Sequence, residues 1–161
     1  MIHPATLLHI LGRFLLALAG SMLVPLLYGL WIHDDPRPFV LAIAGTFLAG
    51  VLILWLTGRP KSDLSPREGV LVVFAIWIAS SVFGCLPFYL SPFFPSFTDA
   101  FFEASSGFTT TGATVLADVE ILPHSIQFWR CFTHWLGGMG VVLLAIAILP
   151  LVGVGGMPLY R

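Results

Sequence analysis

Polar but uncharged residues are most concentrated in one short run, Ser105-Ser-Gly-Phe-Thr-Thr-Thr-Gly-Ala-Thr114. The run offers hydroxyl groups, glycines and a backbone with few bulky side chains. Gly112 can adopt backbone angles that point successive carbonyl oxygens the same way. Carbonyl oxygens that face a water-filled path can replace the water shell of a cation. The pattern therefore indicates a cation-binding backbone segment.

The rest of the chain is far more apolar than a soluble domain. Of its 161 residues, 58% are hydrophobic and 9% are charged, and the mean hydropathy is +0.98, which indicates an integral membrane protein. The seven basic and eight acidic residues nearly cancel, which excludes a basic surface for nucleic acid. Cys85 and Cys131 lie in apolar tracts, and we expect both to be buried, unpaired thiols.

Uncharged runs predict four membrane-spanning helices. The runs cover residues 14–33, 38–58, 69–98 and 131–160, and each supplies the ~20 apolar residues that cross a bilayer core. We expect the third helix at about residues 69–90 and the fourth at about 123–149. Arg13 is expected two turns into the first helix, as an anchor at the membrane interface.

The charges of the loops predict the orientation. Residues 58–69 carry three basic side chains, Arg59, Lys61 and Arg67, and two acidic ones. Residues 91–122 carry no Lys or Arg and four carboxylates, which are Asp99, Glu103, Asp118 and Glu120. The positive-inside rule then places the first loop and both termini of this segment in the cytoplasm, and the second loop outside.

A fifth uncharged run, residues 104–117, is too short to span a membrane. Ser96 is a candidate N-cap with Asp99 three residues later, which predicts a short helix that ends near Gly107. Such a helix rises only ~15 Å, about half a bilayer. Because Asp118 and Glu120 follow, the chain must return to the outer face, where the two carboxylates would form an acidic vestibule that concentrates cations. A Thr-rich turn between two spans is the alternative interpretation.

Two long motifs carry a resemblance to a known family. The stretch "TDAFFEASSGFTTTGATVL", followed by "FWRCFTHWLGGMGVVLLAIAILPLVGVGGMPLYR" and preceded by "SPREG" at residues 65–69, resembles the first pore repeat of the Trk/Ktr/HKT superfamily of potassium transporters. Within that superfamily, it is most similar to the bacterial TrkH-type membrane subunits. The resemblance implies an all-α integral membrane protein of the bacterial inner (plasma) membrane. Two leading transmembrane helices (1–58) and a cytoplasmic loop (59–68) would precede one helix–pore loop–helix repeat of a K⁺-channel-like fold (69–161).

The resemblance also implies a function and its residues. Potassium ions would be taken up, without a cofactor, through a selectivity filter partly formed by the backbone of Thr110, Thr111, Gly112 and Ala113. K⁺ would bind at Thr110, Thr111 and Gly112, with Gly112 at the position of the family's filter glycine. A non-conducting structural or assembly subunit with the same fold is the alternative.

The resemblance implies partners as well. Family members carry four such repeats and this sequence carries one, whereas a filter needs about four equivalent strands. The remaining repeats would come from a longer chain, which the abrupt stop at residues 153–161 favours, or from a homo-oligomer. A cytoplasmic nucleotide-binding regulatory subunit would gate the complete transporter.

Other polar residues lie on the short helix and the fourth span. Arg130 and His134 are one helical turn apart and share a face. Arg130 is either a functional intramembrane charge or a side chain that reaches the interface, and we expect His134 to form a hydrogen bond between helices. Glu103 is expected to be held by backbone or hydroxyl partners.

Two further patterns complete the sequence-based expectations. The small residues of Trp135-Leu-Gly-Gly-Met-Gly140 are expected to let the fourth helix pack closely on the short helix. The sequence contains no phosphate-binding Gly-rich loop and no Ser/His/Asp set that helical periodicity would bring together. It therefore predicts that the chain is not an enzyme.

Overall fold

The structure, a computed structural model, describes residues 3–58 and 66–148, with side chains described for 3–58 and 68–142. Over these ranges it is all-α, as predicted. The helices are α1 (Pro4–Ser21), α2 (Leu23–Trp31), α3 (Arg37–Thr57), α4 (Pro66–Gly84), α5 (Leu86–Tyr89), α6 (Phe97–Phe108) and α7 (His124–Ile148).

Three helical segments within the described residues are long and apolar enough to cross a membrane. They are Pro4–Trp31, Arg37–Thr57 and Glu68–Tyr89, and they match the first three predicted spans. The fourth predicted span corresponds to α7, which is 25 residues long. Its expected C-terminal part beyond residue 148 lies outside the described residues.

The first span is longer than predicted and is interrupted by a turn at Met22. Pro25 has no N–H to donate to the carbonyl four residues earlier, so the helix breaks there into α1 and α2. The helix starts at Pro4, so Arg13 lies more than two turns from its start, close to the expected position. Its side chain is exposed, and its role as an interfacial anchor stays a prediction. Pro87 interrupts the third span in the same way, between α4 and α5.

The leading helices α1 and α3 pack against each other through glycine. A Cβ atom on Gly50 would lie 3.0 Å from the carbonyl oxygen of Gly12. Only residues without a side chain let two helix backbones come so close. This contact fixes α1 and α3 as a pair beside the remaining helices.

The core lies where this pair meets α4, α6 and α7. Trp129 is completely buried, its indole N–H donates to the carbonyl of Gly84 at 2.9 Å, and its ring contacts Phe39 and Phe108 edge-on. At the end of the bundle where α7 begins, a carboxylate oxygen of Asp34 accepts the Ser125 N–H at 2.8 Å. Asp34, from the α2–α3 turn, thus serves as a cap for the first turn of α7.

The cysteine prediction is correct for one residue and wrong for the other. Both thiols are free, and Cys85 is buried as expected. Cys131 is exposed, because it lies on a face of α7 that the other described helices do not cover. Trp135 and Val142 on α7 are also exposed, at 57% and 58%, so an apolar surface of this helix remains uncovered here.

Candidate ion-binding site

The predicted half-length helix is confirmed as α6. It has 12 residues, which corresponds to a rise of ~18 Å. Ser96 is its N-cap: its hydroxyl oxygen accepts the Asp99 N–H at 3.1 Å and its hydroxyl group donates to the Asp99 carboxylate at 2.7 Å. The helix ends at Phe108, one residue after the predicted Gly107.

The C-terminal end of α6 lies directly on α7. A Cβ atom on Gly137 would overlap the backbone of Phe108, and one on Gly107 would overlap the side chain of Thr133. The close packing predicted from the glycines of residues 135–140 is therefore confirmed at Gly137. Gly140, by contrast, has no atom within 4 Å of such a Cβ.

Residues 109–116, here called the return segment, leave this junction through a tight turn. The N–H groups of Thr109, Thr110 and Thr111 donate to the carbonyls of Ser105, Gly107 and Ser106, each at 2.9 Å. Thr110 and Gly112 have positive φ angles of 57° and 77°. Glycine adopts this region freely, but a β-branched threonine rarely does. Such strain persists only where the surroundings over-determine it, and it is common at functional sites.

Three successive carbonyl groups of the return segment have no hydrogen-bond partner among the described residues. The carbonyl of Thr109 accepts the Thr110 hydroxyl at 2.7 Å, and that of Ala113 accepts the Ser106 hydroxyl at 2.6 Å. Between them, no donor from the described part of the chain reaches the carbonyls of Thr110, Thr111 and Gly112. All three residues are exposed.

The end of α6 makes this position more favourable for a cation. The helix terminates immediately before the three carbonyls, and the C-terminal end of a helix carries partial negative charge. Within the described residues, no group of three His, Cys, Asp or Glu side chains could hold a metal ion.

The return segment is also tied to α6 by Glu103. The side chain of Glu103 is 1% exposed, and its Oε2 atom accepts the Thr114 hydroxyl at 2.8 Å and the Val115 N–H at 3.3 Å. The expectation of backbone and hydroxyl partners for this carboxylate is confirmed. Its other oxygen, Oε1, accepts the Arg130 Nε–H at 2.5 Å.

Arg130 has a partner within the protein. Its side chain is 15% exposed and forms an ion pair with Glu103, so it faces protein. The prediction of an interhelical hydrogen bond for His134 is wrong within the described residues. His134 Nδ1 instead donates to the Arg130 carbonyl, four residues earlier in the same helix, at 2.8 Å. Its ring still lies close to α6, beside Gly107.

The two acidic residues predicted for an outer vestibule lie together in the loop after the return segment. Asp118 Oδ1 accepts the Glu120 N–H at 2.9 Å, and both residues are exposed. No hydrogen bond or ion pair connects either carboxylate to residues 110–113 within the described part of the chain. The structure brings Asp118 and Glu120 close to each other, and their role as a vestibule remains a prediction.

Sequence reasoning missed the hydrogen bonds that hold the return segment. One available signal was spacing, because Glu103 and Ser106 are three residues apart and so share a face of a helix. Another was that Glu103 and Arg130 are opposite charges within apolar stretches, where ionisable side chains usually pair. Neither signal could identify Thr114 and Ala113 as the partners.

Comparisons with known proteins agree with this architecture. The family model for TrkH, described as a cation transport protein, matches residues 37–161. The Trk system potassium uptake protein TrkH of Salmonella typhimurium is 42% identical over 99% of this chain. The Trk system potassium uptake protein TrkG of Escherichia coli is 34% identical over 99% of this chain.

A solved structure is also similar to this chain. The potassium transporter TrkH from Vibrio parahaemolyticus superimposes with a TM-score of 0.87 at 38% identity, covering 98% of this chain and 34% of that chain. The chain spans about a third of the length of the curated relatives it matches, 33% for TrkH of Salmonella typhimurium and for TrkG. The family match extends over most of the sequence, and the chain therefore belongs to the TrkH family of cation transport proteins.

Proposed function

We propose that this chain supplies one repeat of a potassium-conducting pore, through which K⁺ is taken up across the bacterial inner membrane. The observation that carries this proposal is the run of three carbonyls at the exposed residues Thr110, Thr111 and Gly112, which have no hydrogen-bond partner among the described residues. Hydration water would be removed from the ion at the outer mouth, and these oxygens would take its place. Ala113, whose carbonyl is already hydrogen-bonded to Ser106, ends the filter segment.

The arrangement of the helices supports the same function. α6 is half as long as a membrane span and carries the return segment at its end. A short helix of this kind can place irregular backbone at membrane depth while that backbone remains packed in protein. We infer that α4 and α7 are the outer and inner helices of the repeat, that α6 is its pore helix, and that α1–α3 lie outside the pore. The relatives named above are described as potassium uptake proteins, which favours K⁺ as the transported ion.

One repeat provides only part of a filter. The matched relatives are about three times as long as this chain, so we propose that further repeats, in a longer polypeptide or in other copies, complete the ring. The charges of the loops favour cytoplasmic termini for this segment, with Asp118 and Glu120 at the outer vestibule. A cytoplasmic nucleotide-binding subunit is the proposed regulator.

The test is potassium uptake in cells that lack their own potassium transporters. The chain would be expressed alone and in its complete reading frame, each with Gly112 intact and as Gly112→Ser. A serine at φ 77° is strained, so Gly112→Ser should lower uptake or the preference for K⁺ over Na⁺. Gly140→Ser is the matched control, because a Cβ on Gly140 meets no atom of the described residues outside its own helical turn within 4 Å.

The outcomes separate the alternatives. The proposal is supported if the complete reading frame takes up potassium, Gly112→Ser impairs this uptake and Gly140→Ser does not. Uptake by the chain alone would show that copies of this repeat form the ring. If the complete protein reaches the membrane and carries no potassium, the chain is the non-conducting structural or assembly subunit, and the proposal is wrong.

A further inference from the structure

Glu103 occupies an unusual position for a carboxylate. It lies on α6, five residues before the helix ends, with 1% of its side chain exposed. Burial of a charged group is costly unless the charge is paired and its hydrogen-bonding capacity is used. Glu103 meets both conditions, because Arg130 compensates its charge and both of its oxygens accept hydrogen bonds.

The two oxygens of this carboxylate have different partners. Oε1 binds α7 through Arg130, whereas Oε2 binds the return segment through Thr114 and Val115. A pair that served only to join α6 to α7 would need the first contact alone. The second contact connects the ion pair to the Thr114 hydroxyl and the Val115 N–H, two and three residues after Gly112.

The return segment is consequently held at both ends of its free carbonyls. At the first end, the N–H groups of Thr110 and Thr111 are bonded to the last turn of α6. At the second end, Ser106 holds the carbonyl of Ala113 and Glu103 holds Thr114. Between the Thr111 N–H and the Ala113 carbonyl, no hydrogen bond from the described residues holds the backbone, so the position of the second end affects how far apart the carbonyl oxygens of this stretch lie.

We propose that Glu103, oriented by Arg130, is a positioning residue for ion selection: it fixes the second end of the filter segment by bonding Thr114 and Val115. This inference rests on the proposed function, because it assigns a role within the same filter. Glu103 itself does not touch the ion. Its charge is compensated by Arg130, and its effect on the ion passes through the geometry of the backbone.

The position of Thr114 allows this role to be tested with minimal damage to the fold. Thr114 is exposed, so Thr114→Val removes the hydroxyl with little change of shape and leaves the pair of Glu103 and Arg130 intact. Thr114→Ser keeps the hydroxyl and is the matched control. Glu103→Gln keeps an acceptor for the return segment but removes the charge that Arg130 pairs with, and Asp99→Asn controls for loss of a carboxylate on α6.

The experiment measures K⁺ and Na⁺ uptake by the complete reading frame in transporter-deficient cells, normalised to the amount of protein in the membrane. We expect Thr114→Val to reduce the K⁺/Na⁺ uptake ratio by roughly five- to tenfold, the scale on which loss of a single hydrogen bond shifts a conformational equilibrium. Glu103→Gln should reduce the ratio as well, because the side chain loses the charge by which Arg130 orients it. Thr114→Ser and Asp99→Asn should keep the wild-type ratio. A purely structural role would lower the amount of protein and leave the ratio per molecule unchanged.

Each outcome bears on one of the two proposals. If Gly112→Ser changes the ratio while Thr114→Val and Glu103→Gln do not, the positioning role is wrong and the filter assignment stands. If the wild-type protein carries no K⁺, the proposed function fails and this inference fails with it. The Thr114 hydroxyl also accepts the Leu116 N–H at 3.1 Å, so the positioning role of Glu103 is established by a reduced ratio in both Thr114→Val and Glu103→Gln, with the wild-type ratio in Thr114→Ser.

Discussion

Replacement of Gly137 by alanine should separate α6 from α7 and weaken the structure that carries the return segment. The added Cβ atom would approach three backbone atoms of Phe108, with the Cα atom at 2.9 Å and the carbonyl group closer still. Because these are main-chain atoms at the end of α6, no side-chain rotation can relieve the overlap. The end of the helix must move.

The size of the effect follows from this geometry. Carbon atoms in contact normally lie ~3.5–4.0 Å apart, so the last turn of α6 must shift by roughly 1 Å. Overpacking of this kind costs about 1–3 kcal/mol, and the better helix propensity of alanine offsets up to about 1 kcal/mol. Since the overlap involves backbone, we expect a net loss of about 2 kcal/mol, or a melting temperature lower by roughly 4–8 °C for a unit of this size.

The assay is thermal unfolding of the purified protein in detergent, with Gly140→Ala as the matched control. Gly140 lies three residues further along α7 and a Cβ there meets nothing within 4 Å, so its replacement should preserve or slightly raise the melting temperature. Potassium uptake should fall with Gly137→Ala, because the return segment begins at the displaced turn. Equal melting temperatures for the two variants would refute the packing argument.

Two further predictions concern the contacts that hold α7 in place. Asp34→Ala removes the acceptor for the first turn of α7 and should destabilise the protein by about 1 kcal/mol, whereas Asp34→Asn retains an acceptor and should lose less; an unchanged melting temperature in Asp34→Ala would contradict the capping role. Trp129→Phe removes the donor to the Gly84 carbonyl and part of a fully buried ring, and should cost about 2–4 kcal/mol. The same denaturation assay tests this, and a loss below about 1 kcal/mol would show that the Trp129 contact matters little.

The features that the sequence predicted correctly depend on short-range signals. The N-cap bond of Ser96 involves a residue three positions away, and the length of α6 follows from the cap and the Gly-rich run after it. The first three spans follow from uncharged runs of sufficient length. The glycines of residues 135–140 correctly indicated close packing on α6, because small side chains on a membrane helix have few other uses.

The missed features depend on contacts between distant parts of the chain. The bond from Asp34 to Ser125 joins residues 91 positions apart, and the pair of Glu103 and Arg130 joins residues 27 apart. No local pattern reveals such partners, although opposite charges in apolar stretches suggest that they exist. His134 was assigned a partner on another helix, whereas it donates to the Arg130 carbonyl one turn earlier in its own helix, an oxygen whose two lone pairs can accept a second hydrogen bond.

Other differences arise from local backbone energetics. The break at Met22 was not predicted, since the apolar run continues through Pro25 without a charge. The positive φ angle of Thr110 was not predicted either, because threonine disfavours that region. The hydrogen bonds around the return segment, and not the preference of the residue, impose this conformation.

The central claim, that Thr110, Thr111 and Gly112 belong to a potassium filter, is tested most directly by ion uptake in cells without other potassium transporters. The complete reading frame would be compared as wild type, Gly112→Ser and Gly140→Ser at equal amounts in the membrane. We predict potassium uptake by the wild type and by Gly140→Ser, and a reduced uptake or a reduced K⁺/Na⁺ ratio for Gly112→Ser. Equal uptake and equal ion preference in all three proteins would contradict the claim.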